Sequence, residues 1–288
     1  MVNVDAGVRR GKIDAVGALD AFDLLGFAGG EQGWPPGYIT NGFGSDAALF
    51  RRVIGRWGFA DLGRIADVGC GFGRWSVFLA EANDAVVGYD DNEEGVRLGR
   101  RLADLFALTN LSFETADIAA LPAASGACDG VWCYNALHLT DRGRVLSEAN
   151  RVLRMGGRLA ILEYNGAGRI LEKFFAGHAR GGVHQKTAKY ALNCLKNGGR
   201  HNGAENYGDV EAAPAMLEAF GFALAESVVA KIAAPGADKG GLDDLPALAE
   251  RLLSDRAFRD DFAKRPGIAK TLPTNLDLVA TKVRELEG

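Results

Sequence analysis

The stretch Ile65–Glu81, IADVGCGFGRWSVFLAE, restricts the fold more than any other part of the chain. An apolar run that reads as a short buried strand, Ile65–Val68, meets three glycines spaced two apart, Gly69, Gly71 and Gly73. A helical pattern follows at once. Strand, glycine turn and helix start together make a nucleotide-binding device. Glycine tolerates unusual dihedrals and lets a ligand approach the main chain. The free amides of a helix start offer donors and the positive end of a dipole. In a doubly wound sheet this turn lies at the carboxyl ends of the strands, where ligands bind. The dinucleotide fingerprint G-x-G-x-x-G requires a glycine at position 74. Arg74 stands there instead, and the pattern is D-x-G-x-G-x-G from Asp67 to Gly73, which disfavours a nicotinamide oxidoreductase.

Beyond this turn the chain alternates. Strands are predicted over 85–89, 111–114, 130–134 and 158–164, and helices over 73–82, 93–108 and 142–153, with a break at Met155-Gly156-Gly157. Strands that alternate with helices imply crossovers and a parallel sheet covered on both faces. Residues 1–60 read as a helical lid with a Gly/Pro-rich loop, and 61–165 as the ligand-binding core. The insertion 166–208 is a basic cap: between Arg169 and Arg200 it holds seven Lys/Arg against one acid, Glu172. Residues 209–288 return to the core with a helix over 212–220, a strand over 222–232 and a last strand over 276–283. A helical insertion lies near 242–265.

Acids follow the strands in a consistent order. Asp90 ends the second strand, where a carboxylate can accept hydrogen bonds from both hydroxyls of a ribose. Asp117 follows the third strand in FETADIAALP, where an acid can accept from an adenine amino group while Ile118 packs on the ring. Asp129 precedes the fourth strand. Each acid alone reads sooner as a solvated loop residue or a helix cap. Their joint order with the glycine turn does not.

On these residues the chain resembles the class I S-adenosylmethionine-dependent methyltransferases. The matching stretches are IADVGCGFG, VVGYD, FETADIAALP, CDGVWCYNALHLTD and EANRVLRMGGRLAILE, roughly residues 64–164, together with GFALAESVVAKI and LDLVATKV near the end. The resemblance implies an α/β, doubly wound, Rossmann-like sheet of seven strands with the last antiparallel, and S-adenosylmethionine as cofactor. It places Asp67 and Gly69 by the methionine end of the cofactor, and Gly71 and Gly73 in the turn. Asp90 would hold the ribose, Asp117 and Ile118 the adenine, and Asn135 would line the cleft. Asp91 departs from the family, which more often has an apolar residue there.

Methyl transfer from a sulfonium is an in-line displacement that depends chiefly on positioning. A base matters only where the nucleophile must lose a proton. The family's nucleobase amino-methylating members carry [DN]PP[YFW] after the fourth strand; here the residues are Tyr134-Asn135-Ala136-Leu137. The ALHLTD run resembles the branch that acts on small metabolites. His138 is the candidate base, against the plainer reading of a histidine that packs or caps at a helix start. Trp34 and Tyr38 would form an aromatic face near the sulfonium, or would pack the leader onto the sheet. Tyr164 ends the fifth strand on the same edge. Lys186, Lys189 and Arg200 in the cap would favour an anionic acceptor, unless the segment is a solvated loop.

Composition sets the remaining bounds. The net charge of −4 over 288 residues weighs against a nucleic-acid partner. No apolar run approaches the roughly 20 residues of a membrane span, and the N-terminus lacks the apolar stretch of a secretory signal. Four cysteines without a CxxC fit a reduced, cytoplasmic setting. His178, His184, Cys194 and His201 match no familiar zinc spacing, so no metal is expected. The leader helices and the 242–265 helix would pack on the core or on a second subunit, which leaves a homodimer open. The expectation is a methyltransferase acting on a small, anionic metabolite through oxygen or nitrogen. An RNA or protein methyltransferase, or a protein that binds S-adenosylmethionine without catalysis, is the alternative.

Overall fold

The computed structural model describes residues 43–44, 47–164, 213–226, 245–264 and 275–286. In chain order the elements are α1 (Ala47–Arg56), β1 (Arg64–Val68), α2 (Arg74–Ala82), β2 (Ala85–Asp90), α3 (Glu93–Leu105), β3 (Leu111–Thr115) and β4 (Cys128–Tyr134). A 3₁₀ turn (Leu137–Leu139) follows, then α4 (Arg142–Val152), β5 (Leu153–Tyr164), α5 (Ala213–Ala219), β6 (Phe222–Leu224), α6 (Leu245–Ser254), α7 (Arg256–Phe262) and β7 (Asn275–Lys282). One sheet contains all seven strands in the order β3-β2-β1-β4-β5-β7-β6. The first five run parallel; β7 is antiparallel to both β5 and β6.

The central strands are apolar on both faces because helices cover both. Ile65, Val86, Trp132, Ala160 and Leu162 pack with α1, α2 and α3. Ala66, Val131, Cys133, Leu159 and Ile161, their neighbours in sequence, pack with α4 and α5. The period-2 alternation of a strand thus feeds two separate cores. Capping sets several helix starts. Asn92 accepts from the Glu94 and Gly95 amides at the start of α3, and Asp141 accepts from the Arg144 amide at the start of α4.

Several boundaries differ from the sequence reading, among them β6, expected over 222–232, which ends at Leu224. β5 begins at Leu153 and runs through Met155-Gly156-Gly157, because the glycines form a bulge: Cys128 pairs with Leu153, but Gly130 already pairs with Arg158. The 242–265 stretch holds two helices, because Asp255 leaves the helical conformation and accepts from the Phe258 amide, capping α7. α3 ends at Leu105, and the chain then turns at Ala107, which takes φ 52°. Of the expected lid 1–60, the structure describes 43–44 and 47–60; the cap 166–208 lies outside the described residues. Among the described residues no helix is long and apolar enough to cross a membrane.

Candidate functional site

The glycine turn leaves β1 by clamping onto the end of β2. The amides of Gly69 and Cys70 both donate to the Tyr89 carbonyl, at 2.8 and 3.0 Å. All three glycines take positive φ: 71° at Gly69, 57° at Gly71 and 84° at Gly73. Packing enforces two of them. A Cβ at Gly69 would collide with the Ala136 methyl, and one at Gly73 would enter the Phe113 ring. These two glycines therefore answer to the protein's own close approach. Gly71 faces the cavity, and its amide donates to Asp90 Oδ2 at 2.7 Å.

A cavity of about 280 Å³ opens over the carboxyl ends of β1, β2 and β4, near the low end of small-molecule pockets, roughly 300 Å³. Asp67 and Asp90 are the acids among its described lining residues. Asp67 is 1% exposed and accepts from Ser76 Oγ at 2.5 Å. Burial pushes its carboxyl up to about 7; the Ser76 hydrogen bond opposes this and the charge of Asp90 adds to it. Asp90 accepts from Gly71 through one oxygen and from the Asn92 amide, at 2.9 Å, through the other. Burial raises its carboxyl too, against those two hydrogen bonds. Acids perturbed by burial inside a cleft are a mark of functional sites.

Aromatic groups form the β4 side. The Trp75 ring lies 5.2 Å from that of Tyr134, and both line the cavity. Phe72 and Leu139 add apolar lining, Leu139 largely exposed. Arg74 lines the cavity while only 8% exposed, its guanidinium 5.0 Å from the Phe50 ring centre and 5.8 Å from that of Tyr134. Asn135 takes φ 52° and donates its amide to the Leu162 carbonyl at 2.6 Å. This turns the chain after β4 across the cavity. Glu163, 2% exposed on β5, accepts from the Leu137 amide at 2.8 Å and so ties the 3₁₀ turn to the sheet.

Of the residues singled out in the sequence, Asp67, Gly69, Gly71, Asp90 and Asn135 line this cavity. Gly73 shapes the turn from behind. Ile118 is buried beneath Gly69. Asp117 is not among the lining residues; its Oδ1 accepts from the Ala119 amide, and its other oxygen lies 3.6 Å from Arg144. Asp129 sits at the far end of β4, bonded to the Arg64 amide and to Arg154, a structural post. His138 is the middle residue of the 3₁₀ turn, and Tyr164 ends β5. Trp34, Tyr38, Lys186, Lys189 and Arg200 lie outside the described residues, as do His178, His184, Cys194 and His201. Sequence reasoning missed Phe72, Arg74, Trp75, Tyr134 and Leu139 as lining. Of these, Arg74 had drawn notice as the residue that breaks the dinucleotide fingerprint, and Tyr134 as the first residue of the run after the fourth strand.

Residues 65–157 match the family model described as a methyltransferase domain. The chain is 38% identical over 104 residues to 27-O-demethylrifamycin SV methyltransferase of Amycolatopsis mediterranei, covering 35% of this chain and 38% of that protein. It is 36% identical over 103 residues to methyltransferase GfsG of Streptomyces halstedii, covering 35% and 37%. With the ubiquinone/menaquinone biosynthesis C-methyltransferase UbiE of Geotalea uraniireducens it shares 31% over 128 residues, covering 43% and 54%. The matched stretch thus spans between about a third and about half of these relatives.

Proposed function

We propose that this chain, whose core is a class I S-adenosylmethionine-dependent methyltransferase domain, transfers a methyl group to a small-molecule acceptor. The observation that carries the reading is the pairing of Asp67 and Asp90 in one cavity at the strand ends. The donor set suits the cofactor. A carboxylate oxygen has two lone pairs, and each Asp90 oxygen takes one backbone amide. Both oxygens therefore keep an acceptor site for a ribose hydroxyl. The acidic floor favours a cation, and the aromatic wall supplies apolar contact. When bound, S-adenosylmethionine supplies an electrophilic methyl group on a positively charged sulfur.

The chain's own part is to bind, orient and exclude water. Asp90 would hold the ribose, and Asp67 would attract the cationic amino-acid end. Gly69, Gly71 and Gly73 would shape the turn, Ile118 and Asp117 would receive the adenine, and Asn135 would border the methyl. Trp75 and Tyr134 would keep water from the reacting centre. His138 would take a proton from an oxygen acid. Two of the relatives are named for transfer to oxygen and to carbon respectively, which supports a small acceptor without choosing the atom. Within this reading the lid 1–60, with Trp34 and Tyr38, and the cap 166–208, with Lys186, Lys189 and Arg200, select an anionic metabolite together with Tyr164.

The test uses S-adenosylmethionine labelled in its methyl group, incubated with the protein and extract of its source cells. Label in low-mass compounds, lost in Asp90→Ala, is the expected result. Label in RNA or protein would overturn the small-molecule reading. Binding of S-adenosylhomocysteine without label in any fraction would overturn the catalytic one.

A further inference from the structure

Among the described residues that line the cavity, two are exposed, and they stand past different strands. Asn92 lies just past β2, and its side chain caps α3. Leu139, in the 3₁₀ turn past β4, is 72% exposed, the most exposed large apolar side chain among the described residues. The turn imposes that exposure. A 3₁₀ helix has three residues per turn, so positions two apart lie about 120° from each other around the axis and cannot share a face. Leu137 is 1% exposed and packs inward, which sends Leu139 elsewhere. The turn is not free to roll. Glu163 holds the Leu137 amide, the Leu139 amide donates to the Ala136 carbonyl at 3.0 Å, and Thr140 Oγ1 donates to the Leu137 carbonyl at 3.2 Å. An exposed leucine on a plain surface needs no explanation. One held in place at the mouth of a cavity is a preorganised contact, because a ligand can bury it with little ordering of the chain.

The cavity is divided along the sheet order β2-β1-β4. Asp90 and Asp67 belong to β2 and β1. The end of β4 and the turn after it contribute Tyr134, Asn135, Ala136 and Leu139, with no carboxylate or cation among them. We propose that Leu139 is a specificity-determining residue that packs on an apolar face of the methyl acceptor. The acceptor is then amphipathic, with a hydrocarbon or ring portion at the cavity mouth and any anionic group elsewhere on it. The proposal rests on the reading of the core as an S-adenosylmethionine site, in which the cofactor's polar groups go to the acids and the acceptor meets the β4 side. Burying a leucine side chain is worth about tenfold or more in affinity. A carboxylate at the same place would have to shed water against an apolar face.

The test joins methyl transfer to calorimetry. Extract of the source cells is divided on a reversed-phase resin into a retained and an unretained fraction, and each is offered with methyl-labelled S-adenosylmethionine. Label is expected in low-mass compounds of the retained fraction. Leu139→Asp should need about tenfold more of that fraction to reach half its maximal rate, with the maximal rate changed by less than about threefold. Leu139→Met, which keeps the volume and the apolar surface, should stay within about threefold of the unaltered protein in both. Both variants should bind S-adenosylhomocysteine within about threefold of the unaltered protein, which also reports that they are folded. Label confined to the unretained fraction, or an unchanged demand for acceptor in Leu139→Asp, overturns the proposal. A parallel loss of S-adenosylhomocysteine affinity overturns it as well, because Leu139 would then serve the cofactor site or be covered by another part of this chain. If the unaltered protein binds no S-adenosylhomocysteine, the reading of the core itself fails and the proposal falls with it.

Discussion

Asp67 places a carboxyl group 1% exposed beside Asp90, and its ionisation is where stability and binding oppose each other. Its folded-state pKa, about 7, lies above the ordinary carboxylate value. The folded chain therefore holds the proton more tightly than the unfolded one. Stability falls as pH rises from the carboxylate range to about 7, and the cost is complete above that. Asp67→Asn removes the charge and keeps an acceptor for Ser76. It is expected to raise the melting temperature by a few degrees at pH 8 and to change it little at pH 4.5, measured by thermal denaturation. Binding of a ligand's ammonium group runs the other way. Affinity of the unaltered protein for S-adenosylhomocysteine should weaken as pH drops below about 7, and Asp67→Asn should flatten that dependence in titration calorimetry. A pH-independent affinity in the unaltered protein would rule out Asp67 as the group that senses the ligand's charge.

The site is assembled from element ends, and local chemistry decides each one. Gly73→Ala would force a left-handed φ on a residue with a Cβ and drive that Cβ into Phe113. Such strain is of order 1–3 kcal/mol, so a chemical-denaturation midpoint should fall accordingly, with binding weakened as the turn shifts. The 3₁₀ turn after β4 depends on Glu163, whose Oε1 accepts from the Leu137 amide. Glu163→Gln keeps an amide oxygen for that bond and should retain ligand affinity within about threefold. Glu163→Ala leaves the buried amide unsatisfied, a loss of about 1–3 kcal/mol, and should weaken both stability and binding. Equal behaviour of the two variants would remove the bond from the account. The glycine spacing and the apolar runs made the strand–turn–helix units legible in the sequence. The β5 bulge and the α6–α7 division were not, because a glycine pair and a lone Asp carry the same local signals whether they end an element or bend it.

At the scale of the molecule, the antiparallel end of the sheet is locked by Lys282. Its side chain is 1% exposed, and its Nζ donates to the carbonyls of Asn150 and Leu153 and to Glu285. Asn150 in turn donates through Nδ2 to the carbonyls of Phe220 and Arg284. The end of α4, the start of β5, the α5–β6 connection and β7 meet at this knot. Lys282→Met should lower stability by about 2–4 kcal/mol, because two buried carbonyls lose a charged donor. Glu285→Ala should cost under about 1 kcal/mol, since that carboxylate is 66% exposed. Urea denaturation of the two variants tests the contrast; similar losses would mean that the ion pair, and not the carbonyl contacts, carries the lock.

The sequence by itself determined the parallel core, the glycine turn and the acid after β2. Those features are written in short-range periodicity and spacing, and adjacent parallel strands bring their carboxyl ends together of necessity. Tertiary structure alone decided which groups face the cavity. Asp117 stands outside the lining of that cavity, 3.6 Å from Arg144, whereas Arg74, which local pattern marked only as a break in a fingerprint, lies buried in the lining. The direction of a side chain at a strand or helix end depends on what packs against it from elsewhere in the chain. For Arg74 that is Phe50 from α1 and Tyr134 from β4, neither of which any local pattern brings to it.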